Sequence, residues 1–112
     1  MSDDEAEREV PEGAAVFPEI PEELGVDPLL LAVLHATVFL EGSEEGIVNP
    51  TAAREAMSYL SGYLQRLSGA RLQKAREDFA CLAAYARDQD WPKVQVRFLK
   101  EFLENYGVSG EV

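Results

Sequence analysis

The longest apolar run of the chain covers residues 29–40, where only His35 and Thr37 are polar. It follows Asp27-Pro28, a helix-start signal, because Asp caps a helix and Pro fits its first position. A surface helix of a small domain normally shows a polar stripe, and this run has almost none. The pattern therefore predicts a helix over residues 28–41 that other segments cover from nearly every side.

Three further helices are predicted by steps of three and four between apolar residues. The second starts at Asn49-Pro50, which repeats the first helix-start signal, and ends at Ser68-Gly69. The third covers residues 70–89 and has mostly alanine on its core side, whereas the fourth has large aromatic residues there. The fourth is capped by Asp90 and ends at Gly107. Small residues facing large ones predict complementary packing of these two helices.

Two segments precede the helices. Residues 1–13 are largely acidic and lack apolar periodicity, so they predict a disordered tail that buries too little to offset its ordering entropy. Residues 14–26 interleave apolar side chains with prolines, which prevent a regular helix and favour an extended path. We expect this arm to lie across the apolar helix. The alternative is that Phe17 and Ile20 form a short linear motif for another protein.

Together these elements predict one all-α domain, in which residues 27–107 form a four-helix bundle or two stacked helical hairpins. An extended N-terminal arm precedes the domain, and residues 108–112 are expected to fray. A length of 112 residues agrees with a single domain. The end of the chain resembles a tetratricopeptide hairpin at Tyr85, Asp90-Trp91, Val94, Phe98 and Phe102. A solenoid needs about three such repeats and this chain has one, so the resemblance implies a hairpin with similar packing.

The compartment is predicted by what the sequence lacks. Its single cysteine, Cys81, cannot form an internal disulfide, which agrees with a reducing environment. The N-terminus is acidic, unlike a secretory signal. The longest apolar run is shorter than the roughly 20 residues that cross a bilayer. We therefore expect a cytoplasmic protein without membrane contact.

Charge is distributed unevenly along the chain, whose formal net charge is −11. Residues 1–27 carry ten acidic groups and one basic group, whereas the remainder carries eleven acidic and nine basic groups. The folded body is therefore near neutral. Direct binding of nucleic acid is not expected, because it needs a clustered positive surface.

Catalytic and metal-binding signatures are weak. His35 has no acidic residue three or four positions away on its helix, so the carboxylate–histidine pairing of helical metal sites is missing. Cys81 lies among apolar neighbours without an adjacent base. Asp78 and the other scattered carboxylates are expected on loops or outward helix faces. We expect no enzyme, metal or cofactor; an enzyme using His35 with Cys81 is the remote alternative.

The function that the sequence favours is protein–protein interaction, as an accessory, adaptor or assembly factor. Four helices leave part of the apolar helix uncovered, and such surface usually marks an interface with a second copy or another protein. The basic stripe at residues 93, 97 and 100 is either an ordinary solvated face or a contact for an acidic protein or for the chain's own tail. An acidic decoy that occupies a nucleic-acid-binding protein is an alternative function. The candidate contact residues are Phe17, Ile20, Leu31, Val38, Phe39, Lys93, Arg97 and Lys100.

Overall fold

All regular structure in the described part of the chain is helical, which confirms the all-α prediction. The computed structural model describes residues 10–109, so most of the predicted tail and residues 110–112 lie outside the described residues. No strand occurs within that range. After a 3-10 turn at Glu22–Leu24, the α-helices are α1 (Pro28–Gly42), α2 (Pro50–Leu64), α3 (Gly69–Asp88) and α4 (Lys93–Asn105).

The four helices form two hairpins, because α1 packs closely on α2 and α3 packs closely on α4. Both predicted Asx-Pro starts are confirmed. The Asp27 side chain accepts a hydrogen bond from the Leu29 N–H at 2.9 Å, and the Asn49 side chain accepts one from the Ala52 N–H at 3.0 Å. Each cap satisfies an N–H group that the helix itself leaves unpaired.

The turn between α3 and α4 differs from the prediction. Asp90 does not cap α4; it lies at φ 60° beyond the end of α3. The Trp91 N–H donates to the Ala86 carbonyl at 2.9 Å and the Asp90 N–H donates to that of Arg87 at 3.1 Å, which is a Schellman ending. Pro92 precedes α4 without a side-chain cap. Asp was therefore read as a helix start at a position where it closes the preceding helix.

The end of α4 is also closed by a Schellman pattern, at Gly107 with φ 80°. The Val108 N–H donates to the Leu103 carbonyl at 2.9 Å, and the Val108 side chain is buried. The fraying that we expected from residue 108 onward therefore does not begin at Val108, because its side chain packs into the core.

The core lies between α1, α3, α4 and the N-terminal arm. The rings of Phe79 on α3 and Phe102 on α4 stack with their centres 4.8 Å apart. Helix α2 is more peripheral and buries only Ala53 and Met57. Gly62 in the same helix makes no close crossing, since the space around its α-carbon is open.

The arm packs on this core through three buried apolar residues, Phe17, Ile20 and Val26. Hydrogen bonds fix it near both ends. The Ala15 N–H donates to the Ser43 hydroxyl at 2.9 Å beyond the end of α1, and the Asp27 N–H donates to the Asp78 carboxylate at 3.1 Å on α3. The arm thus connects the two hairpins.

Candidate functional site

Helix α1 presents an apolar face that nothing in the described residues covers. Only Leu34 and Thr37 of this helix are buried, whereas Leu29 is 74% exposed and Phe39 is 40% exposed. Leu29, Ala32, Ala36 and Phe39 recur at steps of three and four, so they form one stripe, which we call the outer face of α1. The expectation that α1 is covered from nearly every side is wrong, because the other elements pack against one side only.

The predicted contact residues divide into three groups. Phe17 and Ile20 are buried within their own chain, so the interpretation of these two as a linear motif for a partner is not supported. Leu31 and Val38 are half-buried against the core, and of the predicted α1 residues only Phe39 counts as exposed. The basic residues of α4 are exposed, as expected for either of their interpretations; they are Lys93, Arg97 and Lys100.

Sequence reasoning missed two exposed tyrosines on α2. Tyr59 is 63% exposed and Tyr63 is 59% exposed, and they lie one helical turn apart. The guanidinium of Arg66 lies 4.8 Å from the ring centre of Tyr63, which restrains that ring. The available signal was their position just before Leu60 and Leu64, which places them off the packed stripe. Exposed tyrosines are enriched at protein interfaces, because they bury a large area at little entropic cost.

A cavity of about 330 Å³ opens where the four helices meet. We call it the four-helix cavity. Its walls are mainly apolar, and Leu29 belongs both to this cavity and to the outer face of α1. The cavity therefore offers the outer face a recess for an apolar side chain. Its other apolar wall residues include Leu30, Val33, Leu64, Leu67, Phe79, Phe102 and Leu103.

One carboxylate at the four-helix cavity is buried. Asp78 is 4% exposed, which corrects the expectation that it lies on an outward helix face. It accepts hydrogen bonds from the Asp27 N–H and from the Lys74 ammonium. That bond with Asp78 raises the pKa of Lys74 above its ordinary value. Because Asp78 has partners on two elements, it joins the arm to α3 and leaves the cavity without an unpaired buried charge.

The two residues of the remote enzyme hypothesis have different neighbours. The His35 ring packs edge-on against Phe17, with the ring centres 5.2 Å apart. The Cys81 sulfur lies 3.9 Å from the Leu24 carbonyl oxygen. Within residues 10–109, no group of three or more His, Cys, Asp or Glu side chains is placed to hold a metal ion. No helix in that range has the length and apolarity to cross a membrane.

Comparison with known proteins adds no relative. No family model matches this chain, and neither the curated proteins nor the solved structures give a match. Its function has therefore to be inferred from the arrangement of its own side chains.

Proposed function

We propose that this protein is a non-enzymatic protein–protein interaction module of the cytoplasm, an accessory, adaptor or assembly factor. Its contact surface is the outer face of α1, with the four-helix cavity as a recess for an anchoring side chain. The observation that carries the proposal is the exposure of Leu29 and Phe39 on a helix face without a polar residue. Contiguous apolar surface of this kind marks interaction sites more often than isolated exposed residues do.

The energy available from this face supports a specific contact. Full burial of a Leu or Phe side chain contributes roughly 1.5–3 kcal/mol. Since Leu29 is 74% exposed and Phe39 is 40% exposed, they retain a large part of that amount for a partner. About 1.4 kcal/mol changes a dissociation constant tenfold, so loss of either residue's contact should weaken binding by about tenfold or more.

The occupant of the face is either a second copy of the chain or a different protein. A second copy would pair two identical α1 helices about a two-fold axis, because homodimer contacts are self-complementary. A different protein would supply its own apolar helix or loop. The mass of the complex distinguishes the two cases.

The test places a charge on the outer face of α1. Leu29→Glu and Phe39→Glu are made in the full chain, with Val94→Glu as the matched control, because Val94 is 65% exposed on α4. We expect the wild-type protein in native cell extract to elute as a complex larger than the single chain. Both α1 variants should elute as the single chain, and the control should elute like the wild type.

Thermal melting of each purified variant shows whether it is folded, since exposed substitutions change stability by only about 0.5 kcal/mol. A wild-type protein that elutes as a single chain would contradict the proposal. Equal behaviour of Leu29→Glu and Val94→Glu would contradict it as well.

A further inference from the structure

A groove of about 600 Å³ lies along the contact of α3 with α4, and we call it the α3–α4 groove. Its sides carry three cationic residues, Arg76 and Arg87 from α3 and Lys100 from α4, and a single carboxylate, Glu104. This local excess of positive charge occurs in a chain whose net charge is −11. It therefore requires an explanation other than average composition.

The structure divides the basic stripe predicted from the sequence. Lys100 lines the α3–α4 groove, whereas Lys93 and Arg97 do not. Among residues 10–109, Arg87 and Lys100 have no ion-pair partner. The interpretation of the stripe as internally paired i,i+4 charges is thus not supported at Lys100. A carboxylate entering the groove would meet cations from two helices at once.

The floor of the groove is apolar and shallowly built. Ala80 and Ala83 lie on α3, and Leu103 with Val108 close the side of α4. Arg76, Ala80, Ala83 and Arg87 recur along α3 at steps of four, three and four. Their alignment places charged residues at both ends of an apolar floor, which is the arrangement that receives the apolar stripe of another helix.

We propose that the α3–α4 groove binds an acidic amphipathic helix of a partner protein. Apolar side chains of that helix pack on Ala80 and Ala83, and its carboxylates pair with Arg87 and Lys100. The charge of the groove and its apolar floor are both needed for this assignment. The proposal is independent of the outer face of α1, because none of that face's residues lines the groove.

The lining favours a protein over a nucleic acid. Single-stranded nucleic acid is held by exposed aromatic rings on which bases stack, in addition to positive charge. The aromatic residue of this lining, Phe79, is 5% exposed and stacks on Phe102 in the core. The net charge of −11 also repels a phosphate backbone at long range.

The experiment measures binding of a defined probe to the full chain by fluorescence anisotropy. The probe is a synthetic helical peptide of about 18 residues, with leucines at positions i, i+3, i+4 and i+7 and glutamates flanking them. A peptide of the same composition, shuffled to remove the apolar stripe, is the control. We expect the amphipathic peptide to bind saturably and at least ten times more tightly than the shuffled one, with an affinity that falls as salt rises.

Two matched pairs of variants locate the bound peptide. Ala80 and Ala84 are both exposed alanines of α3, and only Ala80 lines the groove. We expect Ala80→Glu to weaken binding at least tenfold and Ala84→Glu to change it less than twofold. On α4, we expect Lys100→Glu to weaken binding at least threefold and Lys93→Glu to have less effect. Thermal melting confirms that each variant is folded.

Several results would overturn the proposal. These are the absence of saturable binding, equal affinity for the shuffled peptide, or equal effects of Ala80→Glu and Ala84→Glu. Loss of binding in Leu29→Glu would move the peptide to the outer face of α1 instead. Binding of a mixed-sequence single-stranded oligonucleotide that Ala80→Glu abolishes would assign the groove to nucleic acid. A chain starting at Val10 that binds the peptide ten times more tightly would assign it to the chain's own acidic tail.

Discussion

The N-terminal arm offers a quantitative test of the fold, because two adjacent arm residues have opposite environments. Phe17 is 5% exposed and Val16 is 58% exposed. The Phe17 ring packs edge-on against His35 and against Trp91, with ring centres 5.2 Å and 5.6 Å away. Phe17→Ala therefore removes a contact that joins the arm to α1 and to the α3–α4 turn, whereas Val16→Ala removes little.

The expected cost follows from the burial. Truncation of a buried Phe to Ala costs about 3–5 kcal/mol, and the two ring contacts belong to that amount. In a domain of this size, 1 kcal/mol corresponds to a change in melting temperature of about 4–8 °C. We expect Phe17→Ala to lower the melting temperature by about 12 °C or more. Val16→Ala should change the free energy of unfolding by less than about 0.5 kcal/mol.

Urea unfolding followed by circular dichroism measures both variants, and the free energy of unfolding is extrapolated to water. If Phe17→Ala costs within about 1 kcal/mol of Val16→Ala, the arm contributes little to the fold. In that case Phe17 would be available to another protein, as the linear-motif hypothesis holds.

Three further predictions concern single positions and are all measured by thermal or urea unfolding. The Thr37 hydroxyl is buried without a hydrogen-bond partner, so Thr37→Val should stabilise the protein by about 1 kcal/mol, whereas Thr37→Ser, which keeps the hydroxyl and loses a methyl group, should destabilise it. Asp90 has φ 60° and Gly107 has φ 80°, so Asp90→Gly should stabilise and Gly107→Ala should destabilise, each by about 1 kcal/mol; the opposite signs would refute the left-handed turns. Burial and the hydrogen bond to Glu41 raise the pKa of Tyr106 above 10.0, so stability present below pH 10 should fall at higher pH, and less steeply in Tyr106→Phe.

The helix starts were predictable because their chemistry is local. Asp27-Pro28 and Asn49-Pro50 each carry the cap and the first helical residue within two positions, so no distant contact is needed to specify them. Asp90 shows the limit of such signals. Asp suits both a helix N-cap and a left-handed position after a helix, and the hydrogen bonds of Trp91 and Asp90 to α3 decide between them.

The coverage of α1 was not predictable from its own composition. An all-apolar helix indicates that burial is favourable, but the number of elements that surround it depends on how the two hairpins are stacked. The exposure of Leu29 and Phe39 is therefore a tertiary property. The tyrosines of α2 are a similar case, because a position beside the packed stripe is covered or exposed according to the neighbouring helix.

The α3–α4 groove required the structure for a different reason. Arg87 and Lys100 come from separate helices, and the sequence placed Lys100 with Lys93 and Arg97 on one helix instead. Spacing along one helix predicts which residues share a face. It does not predict which faces of two helices converge, so the cationic residues of the groove could not be grouped in advance.

The most direct test of the central claim is photo-crosslinking in the cells that produce this protein. A photoreactive amino acid replaces Ala32 on the outer face of α1, and a control chain carries it at Val94 on α4. The account predicts a discrete crosslinked product from position 32, whose mass identifies a second copy or another protein, and no such product from position 94. No product from position 32, or the same products from both positions, would contradict the assignment of α1 as the contact surface.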